Sequence, residues 1–194
     1  MKAVLISIKP KWCEKIASGK KTIEVRKTAP KCEVPFKVYI YETKESKRRY
    51  LDDRFNSFFS NKSHYTDMGK VIGEFICDKV YNLINAFGGI VFADENLNQL
   101  EPQLFRDMSC LTDEQTADYL GDKDGYGLHI SDLKIYDSPK ELSNYIRECR
   151  QPAEIQCENC PYCNWYDVHF CTDKRRTITR PPQSWCYVDE LVVG

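Results

Sequence analysis

Apolar residues in this chain come in short runs of about half a dozen at most, and several of the runs alternate with polar residues. Period-two alternation marks a half-buried strand, because successive side chains point to opposite faces. In "KTIEVRK", Ile23 and Val25 fall on one side and Thr22, Glu24 and Arg26 on the other. In "FKVYIYET", Val38, Ile40 and Glu42 stand opposite Lys37, Tyr39 and Tyr41. "AVLISI" at 3–8 does not alternate and reads as a buried first strand, while "KVIGEFICDKVYNL" at 70–83 is the most strand-like stretch of all. "GYGLHISDLKIYD" at 125–137 and "SWCYVDELVV" at 184–193 complete the strand set.

Short helices are expected between these segments. Pro10 opens one at its first turn, with Trp12, Ile16 and Ala17 on one face and Gly19 as its stop. Thr112 caps another, with Asp113 and Glu114 in the first turn and Gly121 at the end. "SPKELSNYIREC" at 138–149 reads as a third, with proline at its first position. Residues 44–69 lose the strand period and read as an insertion with a short helix around Tyr50 to Phe59, and 93–107 read as loop. Five or six strands without regular β-α-β alternation predict a single β-rich α+β domain over 1–194, built as a compact mixed barrel.

Composition narrows the function classes. The 28 basic and 29 acidic residues nearly cancel, so a globally basic nucleic-acid binder is not indicated, and only local runs such as 44–49 and 173–180 could hold phosphates. No apolar stretch approaches the roughly 20 residues of a membrane span. "MKAVLISIKP" has too short an apolar run for a signal peptide, so a soluble, cytoplasmic protein is expected. Ten cysteines without an export signal point to metal or to reduced thiols rather than disulfides.

The cysteines cluster. "CENCPYCNWYDVHFC" gives C-x2-C-x2-C-x7-C through Cys157, Cys160, Cys163 and Cys171, with His169 two residues before the last. A C-x2-C turn aims two thiolates at one point, the bite that tetrahedral zinc needs. We read these four cysteines as zinc ligands in a knuckle inserted at 150–178 before the last strand, with His169 able to replace Cys171 or Cys163. "CPYC" is also a dithiol motif, but it sits late in the chain with no thioredoxin-like βαβ pattern before it. The spacing likewise differs from the ferredoxin cysteine run.

The pattern Gly19-x-Lys21-x-x-Glu24-x-Arg26, with "SIKP" before it and "YIYET", "GEF" and "GYGLHI" after it in order, resembles the ASCH family. The likeness covers residues 1 to about 140 and the last strand, leaving out the cysteine segment and the 44–69 insertion. It implies a PUA-like pseudo-barrel in which the motif lines a cleft suited to RNA or a modified nucleoside. Physical chemistry agrees with such a role: Arg26 offers a planar fork, Lys21 a point charge whose pKa falls on desolvation, and Glu24 an acceptor for an amino group. Ser7 and Lys9 fall beside the motif, and Trp12, Tyr41 and Trp185 are candidate stacking faces. The rival reading of Lys21, Glu24 and Arg26 is a set of cross-strand ion pairs worth little.

Some small bacterial proteins similar to this family hydrolyse the acetyl amide of N4-acetylcytidine with a lysine, a threonine and a glutamate. That resemblance implies Lys21 as the base. The threonine position holds Glu24 here, with Thr22 nearby, and Glu74, Asp107 and Glu114 are candidates for the assisting glutamate. Three expectations follow. The first is a cleft binding RNA or a modified nucleoside, and the second is a nucleoside amidohydrolase in the same cleft. The third is a zinc-stabilised interaction module with buried ion pairs and no cavity.

Overall fold

A computed structural model describes residues 3–44, 69–87, 89–147 and 176–189. Nine strands form two sheets among these residues. β1 (Ala3–Ile8), β3 (Phe36–Glu42), β4 (Val71–Cys77), β8 (Ser131–Lys140) and β9 (Trp185–Val188) make a five-stranded sheet in the order β8-β4-β3-β1-β9. β2 (Ile23–Arg26), β5 (Val80–Ala86), β6 (Gly89–Ala93) and β7 (Gly125–His129) make a four-stranded sheet in the order β2-β7-β5-β6. The β-rich α+β expectation holds, but the described residues form two sheets rather than a closed barrel.

Both faces of the five-stranded sheet are covered, which explains why β1 reads as continuously apolar. Val4, Ile6, Ile8, Val38, Ile40 and Phe75 join one core with Ile16 and Leu128. Ala3, Leu5, Tyr39, Tyr41 and Val71 join a second core with Tyr145 and Ile178 on the other face. The alternation read in β3 therefore sorts its side chains between two cores rather than between core and water. β1 and β3 run parallel, with Val4 opposite Val38 and Ile6 opposite Ile40. α1 (Pro10–Ala17) lies between them in sequence and buries Cys13 and Ile16, while Ala17 is exposed.

The apparent long strand at 70–83 is two strands in different sheets, parted at Asp78 and Lys79. The stretch 125–137 is likewise divided, at Ile130, between β7 and β8. The two crossings meet: the His129 amide donates to the Lys79 carbonyl (3.0 Å), and its ring Nδ1 lies 2.6 Å from Asp78 Oδ1. His129, solitary in the sequence, thus sits at the seam of the sheets.

Two helix expectations change. The described part of 138–149, residues 138–147, does not form a capped helix, since β8 runs through Ser138 and Pro139 to Lys140 and only a single 3-10 turn follows at Leu142–Asn144. β8 is an edge strand, where a proline leaves no ladder bond unmade. Conversely, the expected loop at 93–107 contains most of α2 (Pro102–Ser109), which starts on a proline and buries Phe105 and Ser109. α3 (Asp113–Leu120) follows as expected, with a full capping box between Thr112 and Gln115. Both helices cover the four-stranded sheet, where Ile23, Val25, Leu83, Phe92, Phe105 and Leu120 make a third core. The expected helix around Tyr50 to Phe59, and most of the 44–69 insertion, lie outside the described residues.

Candidate functional site

β2 carries the charged motif, and its placement follows from the turn before it. Gly19 adopts φ +72°, a conformation that costs glycine little, and ends α1 while the Lys20 and Lys21 amides both donate to the Lys15 carbonyl. Thr22 is then clamped on both sides: its amide donates to the Met108 carbonyl at the end of α2, and its carbonyl accepts from the Ile130 amide (2.8 Å each). On the next strand Gly127 leaves the space that Ile23 fills, since a Cβ there would lie 2.8 Å from Ile23 Cγ2. These contacts press β2 against its neighbours so closely that Ile23, Glu24, Val25 and Arg26 are all buried. The strand is not half-exposed: its apolar face enters the third core, and its charged face lines a cavity.

That cavity has a volume of about 540 Å³. Its floor holds Lys21, Glu24 and Arg26, which are 2%, 3% and 8% exposed. Ser7 at the end of β1, with Lys9, Lys11 and Trp12 at the start of α1, forms one side. Gln115, Asp118 and Tyr119 on α3 face the floor from another, and Pro182 to Ser184, just before β9, close a third. Thr43 contributes from beyond β3.

The floor is an ion network with specific gaps. Arg26 Nη1 meets Glu24 Oε1 at 2.8 Å, and its Nη2 donates to the Ser7 carbonyl at 2.6 Å. Lys21 Nζ donates to the Ser109 carbonyl at 2.7 Å and stands 3.4 Å from Glu24 Oε2. Glu24 Oε2 and Arg26 Nε are buried without a hydrogen-bond partner. The guanidinium fork, suited by its shape to a phosphate or a base edge, is thus turned mostly onto Glu24 and a backbone carbonyl. Burial pulls the Lys21 pKa below its ordinary 10.5, with Glu24 opposing the shift. Behind the floor, the Cys13 thiol is pushed up by its own burial and by Glu42 and Glu24. It donates to the Ile8 carbonyl at 3.6 Å.

Trp12 brings an aromatic face to the cavity within reach of three ammonium groups, with Lys11, Lys21 and Lys15 Nζ at 4.5, 5.1 and 5.2 Å from its ring centroid. Distances of this order fit cation–π attraction.

Of the residues singled out in the sequence, Ser7, Lys9, Trp12, Lys21, Glu24 and Arg26 come together at the cavity. Gly19 shapes the turn behind it. Tyr41 lies instead in the second core, and the Trp185 indole N–H donates to the Thr28 carbonyl (3.0 Å) while its ring packs edge-on against Tyr187. Neither is among the lining residues, and neither is Thr22. Glu74 sits on β4 between Lys37 (3.7 Å) and the Tyr136 hydroxyl (2.5 Å), and Asp107 and Glu114 are exposed on α2 and α3. None of the three lines the cavity.

The wall formed by α3 was not assigned from sequence. Its capping box was legible, but no spacing says which strand a short helix faces. The Ser109 carbonyl was missed because α2 itself was missed, although Pro102 with Phe105 and Met108 three residues apart is a readable helix start.

Cys157, Cys160, Cys163, Cys171 and His169 lie outside the described residues. Among the described residues no group of three or more His, Cys, Asp or Glu is arranged to hold a metal, and Cys13, Cys32, Cys77, Cys110 and Cys186 are thiols rather than disulfides. Where the chain is described again, Thr177 bridges Ile146 and the Ile178 amide donates to the Tyr145 carbonyl. Among the described residues no helix is long and apolar enough to cross a membrane.

Comparison with known proteins agrees with this architecture. No curated protein matches the sequence. In structure, the chain is similar to the ASCH protein of Zymomonas mobilis, at 19% identity and a TM-score of 0.52, covering 96% of this chain and 87% of that one. A serine-to-alanine mutant of that protein gives 17% identity and a TM-score of 0.51 over the same shares. At such identities the likeness establishes the fold alone. Residues 6–82, which carry the Gly19, Lys21, Glu24 and Arg26 motif, match the family model of the ASCH domain, and the chain around them shares the fold of an ASCH protein.

Proposed function

We propose that the cavity is the binding site for RNA or a modified nucleoside. The observation that carries this reading is the burial of Lys21, Glu24 and Arg26 at the floor of an open cavity, with Glu24 Oε2 held only by the Lys21 ion pair and Arg26 Nε making no hydrogen bond. Buried charges whose only purpose is structural are expected to be fully paired, because each unmet polar atom is costly. Trp12 adds a face on which any base can stack, and Lys9 and Lys11 add positive charge at the rim. A cavity of this size also favours both ligand-binding readings over an interaction module with ion pairs and no cavity.

The test is fluorescence anisotropy with short single-stranded RNA and DNA of mixed sequence, on the native chain and on Lys21→Ala and Trp12→Ala. RNA binding that weakens about tenfold or more in either variant supports the site, that being the usual worth of one stacked base or buried charged contact. Unchanged binding in both variants rejects it.

A second reading, an amidohydrolase acting on N4-acetylcytidine-type nucleosides, is favoured by one observation: burial lowers the Lys21 pKa, as a general base requires. Thr22 is clamped away from the lining, and the hydroxyls that do line the cavity belong to Ser7, Thr43, Tyr119 and Ser184. Chromatographic assay of N4-acetylcytidine with native chain and Lys21→Ala decides it, with turnover lost in the variant supporting hydrolysis and no native turnover excluding that substrate. Zinc held by Cys157, Cys160, Cys163 and Cys171 is a separate proposal, and metal analysis of the purified chain before and after substitution of Cys160 tests it.

A further inference from the structure

The donor and acceptor inventory of the floor points to the end of the ligand that enters first. Arg26 commits Nη1 to Glu24 Oε1 (2.8 Å) and Nη2 to the Ser7 carbonyl (2.6 Å), and Nη1 also approaches the Val25 carbonyl (3.3 Å). Lys21 commits one N–H to the Ser109 carbonyl (2.7 Å). A phosphate needs two or three N–H groups converging on its oxygens. Here Nη1, Nη2 and Nζ each already serve a protein oxygen, and one of those oxygens belongs to the Glu24 carboxylate, which repels an anion.

Two buried atoms of the floor make no hydrogen bond: Glu24 Oε2, which has only the Lys21 ion pair, and Arg26 Nε. The Lys21 ammonium stands 3.4 Å from Oε2, an ion pair long for a hydrogen bond, so a ligand N–H can compete for that oxygen. A neutral group presenting an N–H beside an acceptor complements this pair, and the pairing edge of a nucleobase has that form. A site built to hydrogen-bond such an edge discriminates strongly against an analogue that lacks it.

From this inventory we infer that the base enters first, its hydrogen-bonding edge on Glu24 and Arg26 and its face toward Trp12, while sugar and phosphate stay outside near Lys9. Glu24 is then the specificity-determining residue. This rests on the ligand-site reading above and deepens it by fixing the orientation of the ligand.

The experiment is isothermal titration of the full chain with cytidine, uridine, N4,N4-dimethylcytidine, N3-methyluridine, ribose 5-phosphate and inorganic phosphate. It is repeated on Glu24→Gln, whose fold is checked by near-ultraviolet circular dichroism. The expected result is that at least one parent nucleoside binds about tenfold or more tightly than its edge-blocked partner, the value of one charged hydrogen bond. In Glu24→Gln that gap narrows, which a purely steric effect of the methyl groups does not produce. Should Glu24→Gln fail to fold, native-chain competition stands in, and neither ribose 5-phosphate nor phosphate displaces the nucleoside. Equal binding of parent and blocked nucleosides, a gap unchanged in the variant, or displacement by phosphate overturns the orientation while leaving the cavity a ligand site. Binding of RNA in the anisotropy test with no nucleoside bound here also overturns the orientation alone, and no binding in either experiment removes both proposals.

Discussion

Two lysine–glutamate pairs in this molecule have the same chemistry and differ in their surroundings. Lys37 on β3 and Glu74 on β4, diagonal neighbours in the register, pair at 3.7 Å, about one-fifth exposed, with the Tyr136 hydroxyl donating to the other carboxylate oxygen. Both oxygens of Glu74 have partners there, and water reaches the pair. Lys21 and Glu24 are almost wholly removed from water, share their charge with Arg26, and still leave Glu24 Oε2 without a hydrogen bond. An exposed, satisfied pair contributes little and marks nothing. A buried pair with an oxygen lacking a hydrogen bond is a candidate for completion by a ligand.

The largest expected break in this comparison is Glu24→Ala. Removing the carboxylate leaves Lys21 and Arg26 buried and unbalanced, and should destabilise the chain by about 3–5 kcal/mol in urea denaturation. Ile23→Ala, on the opposite face of the same strand, should cost about 2–4 kcal/mol by emptying part of the third core. Glu74→Ala should cost only about 1 kcal/mol, since Lys37 and Tyr136 remain within reach of water. A Glu74 variant as damaging as the Glu24 variant would erase the distinction between the two pairs.

Smaller effects sharpen it. Thr112→Ala removes the cap of α3, the wall opposite the floor, and should cost about 1 kcal/mol. The Lys21 pKa is lowered, so just below 10.5 the unfolded chain binds more protons than the folded one. Folding stability should therefore rise with pH through that interval in the native chain, and rise less steeply in Lys21→Met. Equal slopes in the two proteins would mean that burial does not perturb Lys21.

Much of this was legible in the sequence, and the exceptions have physical causes. β1, β2, β3, α1 and α3 carry their periodicity, proline starts and caps locally, so they were readable. The sheet crossings at Asp78 and Ile130 were not, because nothing in an apolar run announces that its halves pair with different partners. Pro139 misled because a proline after a serine suits a helix start as well as an edge strand, and only tertiary pairing chooses between them. At the site, Lys21, Glu24 and Arg26 were found by motif. Their burial was not, because alternation predicts one wet face and here α1, α3 and the Pro182–Ser184 stretch surround that face. Tyr41 was misplaced for the complementary reason: the second face of β3 is covered by Leu142 and Tyr145 rather than opening on the cleft.

The most direct test of the central claim is a nuclear magnetic resonance titration of the full chain with a short single-stranded RNA of mixed sequence. The account predicts shifts concentrated at the Trp12 indole N–H and the backbone amides of Lys21 through Arg26 and Tyr119, with Lys37, Glu74 and Tyr136 silent. Shifts that gather at the Lys37–Glu74 pair, or none at the cavity at saturating RNA, would contradict it.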